Sequence, residues 1–169
     1  AVTAATDAVK LAETFFWKAH DAAALQNDNT SMALALGNIA TIHKLVYVDV
    51  VSAEKFYKRA IKCDPSHPIL RRNFARLYHD FFEQKVQVLT AVTRGKVTAR
   101  IKMQARTDRT AAQLGGIAEA EYRAALDLCG AGNATKALKG QALRVDLCLN
   151  LTALLCHDDM GKRWSEARP

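Results

Sequence analysis

Apolar residues recur at helical spacing along most of this chain, and little interrupts them. From Asp7 to Leu25 they fall at Val9, Ala12, Phe15, Phe16, Ala19, Ala22 and Ala23, one stripe of a helix. The 169 residues include only 8 Gly and 3 Pro. A sandwich or barrel needs turn residues about every ten positions, so an all-α chain is expected. Half of the residues are hydrophobic, enough to close a core and too many for a disordered tail.

The same periodicity divides the chain into helices. After Asp7–Leu25, the run Asn27-Asp28-Asn29-Thr30-Ser31 breaks the pattern, with Thr30 or Ser31 as the cap of the second helix. Helices are then predicted over 32–46 and 50–62, joined through the β-branched stretch Leu45 to Val51. Asp64-Pro65-Ser66-His67-Pro68 ends the third, because proline lacks the donor and restricts the residue before it. Further helices are predicted over 69–83, 85–93, 98–114, 117–128 and 134–157, with Gly95, Gly115-Gly116 and Gly130 among the breaks. Short connections between successive helices make hairpins, and a train of hairpins makes a bundle or a solenoid.

Two elements recur and alternate. Small–aromatic–small triads at offsets of four and three stand at Ala12/Phe16/Ala19, Ala53/Tyr57/Ala60 and Ala118/Tyr122/Ala125. These offsets share one helical face, where small residues admit a neighbouring helix and the ring fills the gap. On other helices, Asn–apolar–small appears as Asn38-Ile39-Ala40, Asn73-Phe74-Ala75 and Asn150-Leu151-Thr152. The first two Asn are 35 residues apart. Pro65 closes the best unit, Ala53 to Pro65.

This alternation resembles the tetratricopeptide repeat, over about three quarters of the chain. Residues 85–116 depart from it: Gln87 is polar where a second-helix Ala would fall, and no triad follows. The resemblance implies helix-turn-helix repeats stacked in a right-handed solenoid, about four of them, in a single domain over residues 1–169. It also implies a module that binds another protein, holding a peptide segment against a concave groove. Carried over by spacing, Asn38, Thr41 and Lys44 line that groove, followed by Arg72, Asn73, Arg76 and His79, and then Asn150 and Ala153. An Asn amide can bond both the N–H and the C=O of an extended backbone. Arg72 and Arg76, one turn apart, can reach one carboxylate. Plainer roles fit as well: Asn here often bonds only the next helix, and the arginines also suit an ordinary solvated face.

Charge adds a second surface. Lys+Arg 24 against Asp+Glu 17 gives +7, of which residues 86–169 carry +5. Arg94, Lys96, Arg100, Lys102, Arg106 and Arg109 form a basic stripe with Asp108 as its only acid. A solvated face explains it, and contact with an acidic protein or a nucleic acid is the alternative. It lacks interleaved aromatics for base stacking. A structural spacer in a larger assembly is the third reading.

Enzymatic chemistry finds no support. The five His are scattered, with His43 on a core-facing position, and no nucleophile motif, phosphate loop or metal spacing occurs. No cofactor or metal is expected. Cys63, Cys129, Cys148 and Cys156 match no zinc module, so buried, reduced thiols and a cytoplasmic location are expected. Trp17 and Trp164 are expected in the core. Asn29, Asn133 and Asn150 head glycosylation sequons, but Asn150 lies within a helix. No apolar run approaches the roughly 20 residues of a membrane span, so no membrane partner is expected. Residues 163–167 begin a helix that the chain does not finish, and a fragment of a longer protein is the expectation.

Overall fold

The computed structural model of the chain describes residues 2–93, 109–130 and 137–156. Among them the fold is all-α, with no strand. Its helices are α1 (Val2–Leu25), α2 (Asn29–Ile42), α3 (Val50–Cys63), α4 (Pro68–Thr93), α5 (Ala111–Gly130) and α6 (Ala137–Leu155), and a short π-helical turn, His43–Tyr47, follows α2. The chain divides into two compact units, Ala1–Phe74 and Ala75–Pro169.

In the first unit α2 packs against both α1 and α3. Ala33, Leu36, Ala60 and Leu70 form a buried cluster, and Trp17, Phe56, Ile61 and Cys63 pack on it. Trp17 thus joins the core as expected. Phe15, Ala19 and Ala22 of the predicted α1 stripe are exposed, because among the described residues α1 packs mainly against α2. Trp164 lies outside the described residues. Ala53, Tyr57 and Ala60 are at most 2% exposed. Tyr57 keeps its phenol satisfied through Thr41 Oγ1 at 2.9 Å, and Thr41 also donates to the Gly37 carbonyl. Gly37 is needed for packing, since a Cβ there would stand 2.5 Å from Leu70 Cδ2. By contrast, Ala12 and Phe16 are half-buried and Ala19 is exposed.

In the second unit α5 packs against α6. Ala118, Tyr122 and Ala125 are fully buried, and Leu147, Leu151 and Leu154 form the buried face of α6. The Tyr122 hydroxyl lies 3.3 Å from His79 Nδ1. Small–aromatic–small is therefore a buried motif in each unit.

Several boundaries differ from those expected. α4 is one helix, not two, because Phe82 and Val86 are both buried one turn apart and carry the core face past Gln84. Gly115-Gly116 does not break α5: Leu114 and Ala118 lie buried on either side of the pair. α5 instead starts after Thr110, where a reciprocal box fixes it. Thr110 N–H donates to Gln113 Oε1, and Gln113 N–H donates to Thr110 Oγ1. The expected helix from Thr98 falls outside the described residues up to 108. α2 starts at Asn29 and is capped by Asp28, whose carboxylate accepts from Ser31 N–H, so Ser31 is the donor and not the cap. None of the four thiols is buried: Cys63 and Cys129 are half-buried, and Cys148 and Cys156 exposed.

The connection between α2 and α3 is the most irregular part of the first unit. Val48 closes the π-turn at φ 53°, and Asp49 then caps α3 through Ser52 N–H at 3.1 Å. A β-branched residue with positive φ is strained. Val48 is also 74% exposed, so no burial offsets the cost. Asp28, Asp49 and Asp64 all have carboxyls held below the usual carboxylate range by hydrogen bonds from Ser31, Ser52 and Ser66 respectively. Asp64 additionally accepts from Thr30 Oγ1 at 3.2 Å, which ties the start of α2 to the α3–α4 turn.

Val48→Gly is expected to raise unfolding stability by up to about 1 kcal/mol in urea titration, since the left-handed penalty of about 1–2 kcal/mol exceeds the added chain entropy. Ala60→Leu should lower it by about 1–3 kcal/mol through overpacking of the cluster it occupies. The depressed Asp49 carboxyl contributes stability that is present above its unfolded pKa and lost as pH falls through the folded one. Asp49→Asn keeps a cap acceptor, so its stability should fall less steeply than that of the wild type below about pH 4.

Candidate functional site

The residues assigned to a groove divide into those that the fold has engaged and those left exposed. Thr41 is half-buried and bonded to Tyr57 and Gly37. His79 is 7% exposed, with Nδ1 against Tyr122 and Nε2 3.5 Å from Glu83. Asn150 is half-buried on α6, and its Nδ2 donates to the Asp146 carbonyl at 2.7 Å and to Asp146 Oδ1 at 3.1 Å. These three side chains serve local packing and helix geometry.

Arg72 and Asn73 are brought together. The guanidinium donates through Nε and Nη2 to Asn73 Oδ1 at 3.2 and 3.0 Å, and both residues are half-buried. This bond occupies the Asn73 carbonyl oxygen and holds Arg72 beside its own helix. Arg76 is exposed one turn further along α4, and Asn38 is exposed on α2. Lys44 is half-buried in the π-turn, and Ala153 is exposed.

Of the basic stripe, Arg94, Lys96, Arg100, Lys102 and Arg106 lie outside the described residues. Arg109 is described and half-buried. Its Nη1 donates to the Tyr78 hydroxyl at 3.0 Å, with the guanidinium 5.4 Å from that ring's centre. Arg109 thus makes a cation–π contact within its own unit.

A polar cluster that sequence spacing does not assemble surrounds His43. Glu13 Oε1 of α1 lies 3.4 Å from His43 Nε2, and Asp49 Oδ2 lies 3.8 Å from Nδ1. Tyr47 donates to Glu13 Oε2 at 2.7 Å, and this hydrogen bond pushes the Tyr47 hydroxyl pKa up. The imidazole packs at 5.0 Å against Phe56 and 5.1 Å against Tyr47. His43, expected at a packed position, does pack, but between two carboxylates. The cluster joins α1, the π-turn and the start of α3. Among the described residues no group of three or more side chains could hold a metal ion, and no helix is long and apolar enough to cross a membrane.

The charged face of α3 is a further feature that the repeat pattern does not single out. Lys55, Lys58, Arg59 and Lys62 are all exposed and share one side of the helix by their spacing. Their signal is present in the sequence, at offsets of three, four and seven, but the stripe beyond residue 93 is longer and richer in charge. Next to them, Leu45, Val48 and Val51 are 67%, 74% and 63% exposed. The β-branched run that marks a helix junction is thus also an apolar tip.

Searches of protein-family models, of curated proteins and of solved structures find no match to this chain.

Proposed function

We propose that the chain is a helical-repeat interaction module, of the tetratricopeptide type, that captures an extended or helical segment of a partner protein without catalysis. The observation that carries this reading is the burial of Ala53/Tyr57/Ala60 and Ala118/Tyr122/Ala125 to 2% exposure or less. One buried triad in each unit supports the reading, since a repeat reuses one packing motif. In this reading the units belong to a right-handed solenoid, and the helices that precede the triads face the partner.

Two features support a polypeptide as the ligand. Asn38 and Arg76 present polar side chains to solvent on α2 and α4. The Arg72–Asn73 bond leaves the Asn73 amide nitrogen as the donor available to a backbone carbonyl. A partner with carboxylates is favoured by Arg76 and by the excess of basic residues. A cytosolic setting, where the four thiols stay reduced, is part of the proposal.

Asn73→Ala combined with Arg76→Ala tests it. Affinity capture from the native cell, quantified by mass spectrometry, should recover the specific partners at about one tenth of the wild-type level, a loss of roughly 1.4 kcal/mol in binding. Circular dichroism should show unchanged helicity. Unchanged recovery with an intact fold would overturn the groove assignment.

A further inference from the structure

We propose that the outer face of α3 and the turn before it form a second docking surface, for an acidic amphipathic segment of a partner protein. The apolar end of that segment meets Leu45, Val48 and Val51, and its carboxylates run along Lys55, Arg59 and Lys62. This surface is separate from the groove residues on α2 and α4 and does not depend on that assignment.

The tip is both apolar and open to solvent. Three large aliphatic side chains, each more than 60% exposed, lie within seven residues, with Val46 beside them at 49%. The backbone there is held out of its ordinary form. A π-helical turn precedes Val48, which sits at φ 53° and returns no burial for its strain. Strain held by the surrounding structure and unrelated to packing is a mark of a functional surface. The surrounding structure is visible: Glu13, Tyr47, His43 and Asp49 brace the turn from α1 and from the start of α3.

Charge selects the occupant. Val51, Lys55, Lys58 and Lys62 follow one another at helical spacing, so the basic row begins where the tip ends. From Val51 to Lys62 the row extends about 16 Å, three helical turns. The carboxylates near it are already engaged. Glu54 holds Lys58 at 2.6 Å, Asp49 caps α3, and Glu13 accepts from Tyr47. Lys55 and Lys62 are therefore left facing solvent, as is Arg59, which lies 6.0 Å from the Phe56 ring. A segment with leucines at one end and glutamates at every turn matches this order in both shape and sign.

Nucleic acid fits less well. The row on α3 carries no exposed aromatic for a base, and the one exposed ring at the tip, Tyr47, is held by its hydroxyl to the Glu13 carboxylate. An aliphatic tip has no counterpart on a phosphate backbone. A bilayer that took the tip end-on would leave Lys62 about 16 Å away, beyond the roughly 8 Å over which charges act at physiological salt.

The test uses the whole chain and two fluorescent helical peptides about 16 residues long, long enough to cover the row. Each has leucines at one terminus and glutamate once per turn, in opposite orders. A scrambled peptide of the same composition and phosphatidylserine-rich vesicles are the other arms. One ordered peptide should bind saturably by anisotropy, and more weakly at high salt. Lys55→Glu/Arg59→Glu/Lys62→Glu should weaken it by about tenfold or more. Val48→Gly should weaken it about threefold while leaving the fold at least as stable in urea. Asn73→Ala/Arg76→Ala should leave the affinity unchanged. Equal affinity for the scrambled peptide, equal affinity in the charge-reversed variant, or binding to vesicles without binding to either ordered peptide would overturn the proposal.

Discussion

A tyrosine between two alanines sets how closely the helices of this chain approach. Ala53 and Ala60 leave room for a neighbouring helix, and Tyr57 fills the space between them. The ring brings a polar cost with it, because a buried phenol needs a partner. Thr41 supplies one at 2.9 Å, one turn after Gly37, whose missing side chain makes room for Leu70. Two small residues, one ring and one hydroxyl pair therefore fix α2 against α3, and Gly37 fixes it against the start of α4. In the second unit Ala118, Tyr122 and Ala125 are also buried, and the Tyr122 hydroxyl lies 3.3 Å from His79 Nδ1.

The joint between α2 and α3 departs from this regular packing. A helix that turns back on its neighbour must end, and the sequence from His43 to Val48 contains no glycine or proline to end it. The chain stops by widening into a π-turn and forcing Val48 into the left-handed region. Asp49 then restarts a helix by accepting from Ser52, and its backbone N–H donates to the His43 carbonyl at 2.9 Å. His43 sits where these demands meet, between Glu13 and Asp49. The β-branched residues are costly here for the backbone and contribute little to the core.

Legibility in the sequence tracks how local the deciding force is. The triads around Tyr57 and Tyr122, the α3 boundaries and the packing of Trp17 are legible because periodicity reports which face is buried. The Ala12/Phe16/Ala19 triad, by contrast, lies on a face of α1 that is half-buried to exposed. The Gly115-Gly116 pair looks like a break yet is none, because each glycine loses only about 1 kcal/mol relative to alanine. Burial of Leu114 and Ala118 on one face outweighs that. The cap of α2 lies two or three residues before the expected position because Asp28, Thr30 and Ser31 are all competent caps, and only backbone geometry selects among them. The Thr110–Gln113 box is hidden within a stretch whose periodicity reads as one helix. The exposure of Cys148 and Cys156 is not legible, because free cysteine is most often a small buried side chain and the fold here departs from that preference.

The triads also explain which candidate residues the fold leaves for binding. The tyrosine of each buried triad, Tyr57 or Tyr122, draws a hydrogen-bond partner from a neighbouring helix, and those partners, Thr41 and His79, are two of the residues that spacing assigned to a groove. A position that faces a neighbouring helix on one side and solvent on the other is claimed first by the phenol, since a buried unsatisfied hydroxyl costs about 1–3 kcal/mol. The polar side chains left exposed among the described residues stand one step around the helix, as Asn38 and Arg76 do, or on helix faces away from the core. α3 has such a face. Its core side is built by Ala53, Tyr57 and Ala60 with Phe56, Ile61 and Cys63 packed beside them, which leaves Lys55, Lys58, Arg59 and Lys62 on the exposed side.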